Sequence, residues 1–266
     1  MWIIIAYFLL GCIAGTTAGL LGLGGGIVII PGLLWLYAYQ GFPPSMLMHM
    51  AAGTSLAIIA FSSIAAMIAR RKQLNTIMPS YIKIAPGLIL GAWIGALLAS
   101  KLETRVLMIL FAMLVYFMAI RMWFDRFYFE QKDRKPGRIV FLAFGMLAGL
   151  KSGLLGIGGG ILTVPFFTYL GKPVREAMTL SVLVSLTVAL FGASSFVYHG
   201  WHLSGLPDHS WGYVYWPALL GTAMGSLLFA SFGVWLNGLL PSAVLRKLFA
   251  AVLVIVGTKM LYLTLT

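Results

Sequence analysis

The chain has 266 residues, 61% of them hydrophobic and 9% charged, with a mean hydropathy of +0.99 and a net charge of +12. Soluble domains run near 45–50% apolar and about 25% charged, so a water-soluble fold is excluded. The longest polar stretch, Asp125 to Arg138, has no room for a soluble catalytic module. In a chain this apolar the basic excess reads as a topology signal rather than as a nucleic-acid footprint.

Ten apolar segments follow one another, at roughly 2–20, 24–40, 46–68, 79–99, 104–124, 139–155, 159–171, 177–198, 211–235 and 242–264. Runs this long and this poor in charge are membrane helices, so the fold class is an all-α polytopic membrane protein. No Lys or Arg precedes the first run, which argues against a cleaved signal peptide, and the lone Cys12 excludes an internal disulfide. One side of the membrane receives Arg70, Arg71, Lys72, Lys83, Arg121, Arg126, Lys132, Arg134, Lys135, Arg138, Lys172, Arg175, Arg246 and Lys247; the other receives Lys101 and Arg105. The first side is therefore expected to be cytoplasmic, with both termini outside. The outer loop from His199 to Trp211 carries aromatics and histidines without Lys or Arg, as an interfacial belt would. The spacing of His199, His202 and His209 is not a zinc pattern.

The chain contains its own second copy. Ala14 to Pro31 reads AGTTAGLLGLGGGIVIIP and Ala148 to Pro165 reads AGLKSGLLGIGGGILTVP, with 11 of 18 positions identical and no gap. Ala51 and Ser55 then align with Ala177 and Ser181, and Gly91 and Gly95 with Gly221 and Gly225. Two halves result, 1–124 and 138–266, joined by a charged linker at 125–137 that is expected to be cytoplasmic. Five segments per half is an odd number, so the second half is expected upside down. Inverted repeats with paired Gly-interrupted segments point to a transporter and to its binding site. The second hairpin, Arg138 to Gly171, leaves each leg at most about 17 residues or roughly 25 Å of helix, short of a core of about 30 Å. Both glycine turns are expected near the midplane, where irregular backbone must line protein or a wet cavity.

A glycine inside a helix costs about 1 kcal/mol against alanine, so Gly22, Gly24, Gly25 and Gly26, and again Gly156, Gly158, Gly159 and Gly160, need a reason. A glycine-rich turn entering a helix leaves N–H donors free at the positive end of the dipole, which is an anion site. The helices starting near Ile27 and Ile161 are expected to aim such sites at one small oxyanion. Lys151, thirteen residues past Arg138, is too deep to snorkel easily. It is expected to supply fixed positive charge, with Thr16, Thr17 and Ser152 as hydroxyl donors and with Thr54, Ser55, Thr179 and Ser181 facing the cavity. Gly91, Gly95, Gly221 and Gly225 read instead as close-packing positions. Arg175 and Glu176 read as an interfacial ion pair, and His49 as an interfacial histidine. All six acidic residues, Glu103, Asp125, Glu130, Asp133, Glu176 and Asp208, lie in loops or at segment ends. That disfavours a cation pump, which usually needs a carboxylate mid-membrane. No Walker motif, nucleophile elbow or cofactor motif occurs, so no enzyme activity and no cofactor are expected.

The paired AG…GLLGxGGGIxxxP stretches, with HMAAGTSLAI at His49–Ile58 and REAMTLSVL at Arg175–Leu183, resemble the sulfite exporter TauE/SafE family, also called the toluene-sulfonate uptake permease family. The resemblance implies an inner-membrane permease for sulfite, sulfonates or similar anions, working in either direction. The second copy reads AMTLS where the first reads AGTS, so the halves are not expected to contribute identical ligands. The expected function is thus a secondary transporter of a small anion by alternating access, and the alternative is an anion channel with the same glycine constriction. The expected partners are the anion and the lipid bilayer; self-association, coupling ion and direction stay open.

Overall fold

In a computed structural model, residues 2–21, 25–123, 137–239 and 242–265 are described. The linker from 125 to 136 and three residues of the first expected glycine turn, Gly22, Leu23 and Gly24, lie outside them. Ten α-helices are found among the described residues: α1 (Trp2–Leu21), α2 (Gly26–Tyr39), α3 (Leu47–Ala69), α4 (Leu74–Lys101), α5 (Thr104–Trp123), α6 (Arg138–Leu155), α7 (Gly160–Tyr169), α8 (Val174–Gly200), α9 (Trp216–Leu239) and α10 (Ser242–Leu265). Six of them, α1, α3, α4, α6, α8 and α9, are long and apolar enough to cross a membrane. Outward residues such as Ile5, Leu90, Ile120, Leu228 and Ile255 are exposed, an arrangement that only lipid tolerates over so wide an area. The protein is a multi-pass membrane protein.

Two expectations are corrected. The fourth segment starts at Leu74, five residues before Pro79, where the sequence placed its start. The amide missing at Pro79 would have bonded the carbonyl of Asn75, which is exposed and needs no helix partner. The ninth starts at Trp216 instead of 211, because β1 (Ser210–Trp211) and β2 (Val214–Tyr215) pair antiparallel just before it. This hairpin is a plug more than a belt. Trp211 stays exposed, but Tyr213, Val214 and Tyr215 are buried. The Tyr213 ring stacks on His49 at 5.2 Å, and Tyr215 packs edge-on to Tyr7, Tyr37 and Phe42.

The helices pack in pairs: α1 along α9, α4 along α6, α3 across α8, and α5 beside α10. Small residues make the first two pairs close. A methyl placed on Gly91 or Gly95 would lie 2.3 Å from the carbonyl oxygen of Met146 or Leu150 on α6, and one on Gly11 would lie 2.3 Å from that of Thr222 on α9. The packing reading of Gly91, Gly95 and Gly225 accordingly holds in atomic terms. In lipid, where tails are as apolar as side chains, such contact is what drives helix association.

Thr54 ties α2, α3 and β2 together. Its hydroxyl oxygen accepts from Tyr37 OH and from the Tyr215 backbone N–H, both at 3.0 Å, in a fully buried setting. Thr54→Val keeps the shape and strands both donors, at a cost of about 1–3 kcal/mol each. The variant is expected to lose several degrees of thermal stability in detergent; an unchanged melting point would show that the bonds are dispensable.

Candidate functional site

The break between α6 and α7 and the start of α2 at Gly25 and Gly26 are both buried in the bundle. α6 stops at Gly156, whose φ of 71° is the left-handed cap that glycine fills without strain. A methyl there would also lie 2.5 Å from Ala52 Cα. α7 starts at Gly160 after the cap residue Gly159, and α2 at Gly26 after Gly25. The two tips meet: a methyl on Gly26 would sit 3.2 Å from the Gly156 carbonyl oxygen and from Ile157 Cα. With 10 and 14 residues, α7 and α2 are roughly 15 and 21 Å long, each less than a core of about 30 Å. Phe144 of α6 stacks on Phe166 of α7 with ring centroids 3.7 Å apart, holding the second hairpin shut.

Beside the tips lies a cavity of about 280 Å³. Gly19 and Gly25 border it where α1 ends and α2 begins. Ile59, Ser62, Ser63 and Arg70 line it from α3, Ser181 and Ser185 from α8, Ser226 and Ser231 from α9. None of its lining residues is acidic. The lining runs from Ile59 toward Arg70 at the end of α3, and from Ser185 back toward the start of α8, so the cavity occupies one half of the bundle. On the other side of the tips Met50, Ala51, Leu56 and Ile58 are packed and buried.

Arg70 is the cation of this cavity. It caps α3, half-buried, and faces the Arg175 guanidinium. Burial first, and Arg175 second, pull its pKa below the ordinary arginine value; a guanidinium stays protonated through such shifts. The expected Arg175–Glu176 pair does not form. Glu176, in the first turn of α8, instead pairs at 3.3 Å with Lys172, just before the helix cap Pro173. Arg70, bordering a serine-lined cavity and repelled by the exposed Arg175, is in an environment that an anion relieves.

Of the residues expected from sequence, Gly25 and Ser181 border the cavity. Thr16 and Thr17 turn their hydroxyls back to the carbonyls of Cys12 and Ala14. Ser55 donates to the Gly156 carbonyl at 2.9 Å, bolting α3 to the second tip. Gly158 lies against Ser185, and Gly159 against Val184. Thr179 reaches Gln73 Oε1 at 2.6 Å. Lys151 Nζ and Ser152 Oγ are buried with no hydrogen-bond partner. His49 is buried, its Nε2 3.0 Å from the carbonyls of Ala99 and Leu102. Missed altogether were Arg70, counted only as a topology charge, and Ser62, Ser185, Ser226 and Ser231. The signal was there for two helices: Ser181 and Ser185 on α8, and Ser62, Ala66 and Arg70 on α3, recur every four residues and share a face. A larger cavity of about 830 Å³ lies on the outward faces of α3 and α8, walled by exposed Phe61, Leu190 and Trp201; those walls belong to lipid.

A family profile described as sulfite exporter TauE/SafE matches residues 7–260. The chain belongs to that family. A probable membrane transporter protein of Haemophilus influenzae is 32% identical over 257 residues, covering 97% of each chain. Probable membrane transporter proteins of Methanocaldococcus jannaschii and Bacillus subtilis are 28% and 27% identical, over 95% of this chain in both cases. No solved structure matches the chain.

Proposed function

We propose that the protein is a secondary permease that moves a small oxyanion, sulfite or another sulfur-containing or organosulfonate anion, across the inner membrane by alternating access. The observation that carries this reading is the one-sided, serine-lined cavity with Arg70 at its mouth and the start of α2 at its closed end. Arg70, Ser181, Ser185 and the free N–H groups around Gly25 are its ligands for the anion. The packed layer of Met50, Leu56 and Ile58 between this cavity and a second one of about 710 Å³ at the start of α3 favours alternating access over the channel alternative.

In the same reading the halves 1–124 and 138–266 are inverted repeats, joined by a cytoplasmic linker at 125–137, with both termini outside and both glycine turns near the midplane. The helix pairs support it. Exchanging α1 with α6 and α4 with α9 turns the α1·α9 pair into α6·α4, and leaves α3·α8 and α5·α10 as pairs with themselves. That is the pattern of a pseudo-two-fold axis in the membrane plane.

Purified protein in proteoliposomes tests the proposal. Uptake of sulfite, sulfoacetate or taurine is expected to saturate and to be stimulated by the same anion inside. Flux that neither saturates nor shows trans-stimulation points to a channel, and no flux of any of the three removes the assignment.

A further inference from the structure

Lys151 Nζ and Ser152 Oγ are both buried without a partner, on consecutive positions in the last turns of α6 before Gly156. Desolvating an ammonium or a hydroxyl with nothing to pair it is costly, so each is a group that a ligand would relieve.

The repeat says when the ligand arrives. Ser152 and Gly153 correspond to Ala18 and Gly19, which border the open cavity from α1. Ser55 and Leu56 correspond to Ser181 and Val182, which border it from α8. Their counterparts are shut. Ser55 is bonded to the Gly156 carbonyl, and a methyl on Gly192 would lie 2.8 Å from Leu56 Cδ1 and 3.8 Å from Gly153 Cα, so Leu56 fills the space between α8 and α6. Charge completes the comparison. The open cavity has Arg70, whose counterpart Phe196 is buried and neutral. The shut side has no counterpart of Arg70, and the unpartnered buried cation on α6 is Lys151, the residue before Ser152; its own counterpart, Thr17, does not border the open cavity, so charge is placed differently in the two halves.

We propose that Ser55, Ser152 and Lys151 form a second half-site for the same oxyanion. It is closed in this conformer and opens toward the face opposite Arg70 when Ser55 releases Gly156 and Leu56 withdraws. This rests on the permease reading and adds to it the residues that receive the anion on the other face. The anion's negative charge meets the Lys151 ammonium, and its oxygens accept from the two serine hydroxyls.

The test is side-specific labelling of vesicle-embedded protein with a membrane-impermeant maleimide, in a Cys12→Ala background that removes the single native thiol. Sulfoacetate is the probe anion, since sulfite itself adds to maleimides. Ser152→Cys is expected to label from the face opposite Arg70, and Ser185→Cys from the Arg70 face, with sulfoacetate slowing both. Leu56→Cys is a second reporter for the same opening should Ser152→Cys fail to fold. Lys151→Gln is expected to lower saturable sulfoacetate uptake at least tenfold while Ser185→Cys still labels in that variant, as it would in a folded protein. If the wild type transports but neither reporter labels from the opposite face, or if Lys151→Gln transports normally, the second half-site is wrong and the permease reading stands. If the wild type moves no anion at all, it is the permease reading that falls, and the half-site with it.

Discussion

Arg70→Gln is expected to lower saturable anion flux about 10- to 100-fold at equal protein level. A hydrogen bond to a charged group contributes about 1.5–3 kcal/mol, and each 1.4 kcal/mol is tenfold. Arg70 is the half-buried cation of a cavity that holds no acid, and it already stands against Arg175; an anion is the partner this arrangement lacks. Arg70→Lys keeps the charge but loses the planar two-pronged donor that matches an oxyanion, so an intermediate flux is expected. Measured in the same proteoliposomes, wild-type flux from Arg70→Gln would take Arg70 out of the site and leave its charge to topology alone.

Gly91→Leu is expected to abolish the folded protein altogether, and Gly149→Leu to do the same from the other helix. At Gly91 the first added carbon meets the Met146 carbonyl oxygen at 2.3 Å, and at Gly149 it meets that of Leu88 at 2.5 Å. Overpacking a core costs about 1–3 kcal/mol when side chains can give way. Here the obstacle is helix backbone, and it repeats at Gly87, Gly95, Gly145 and Gly153 along the same seam. Gly137→Ala is the control, because a methyl there meets nothing within 4 Å. Monodisperse elution in detergent from either leucine variant, with wild-type thermal stability, would refute the close-contact account of the α4·α6 pair.

The helices were largely legible before any coordinates. The expected segments 2–20, 24–40 and 139–155 differ by a residue or two at each end from Trp2–Leu21, Gly26–Tyr39 and Arg138–Leu155, because apolar runs bounded by Gly, Pro and charge leave little choice in lipid. The glycine turn was legible too, since a left-handed residue such as Gly156 tolerates little else. The hairpin at Ser210–Tyr215 was not. Its aromatics read equally well as a helix start or an interfacial belt, and only the packing of Tyr215 against Tyr7, Tyr37 and Phe42 decides between them. Within the site, Gly25 and Ser181 were found because both sit in the repeat. Arg70 was missed because a basic residue at a helix end satisfies the topology rule whether or not it also faces a cavity. Ser226 and Ser231 were missed because serine on a membrane helix usually bonds its own backbone or a neighbouring helix; which serine escapes that fate is set by how three helices meet, and a single chain's pattern does not carry it.

The lengthwise seam between α1 and α9 has a consequence for how the molecule is made. α1 meets its longest partner only when residues 216–239 have followed it. At about 5–20 residues per second, that is a wait of roughly ten to forty seconds. Throughout that interval Gly11 and Gly15 present bare backbone to the bilayer with nothing to dock against. Truncation anywhere before α9 therefore leaves the Gly11 and Gly15 face of α1 without the helix it fits, with only α2 beside it.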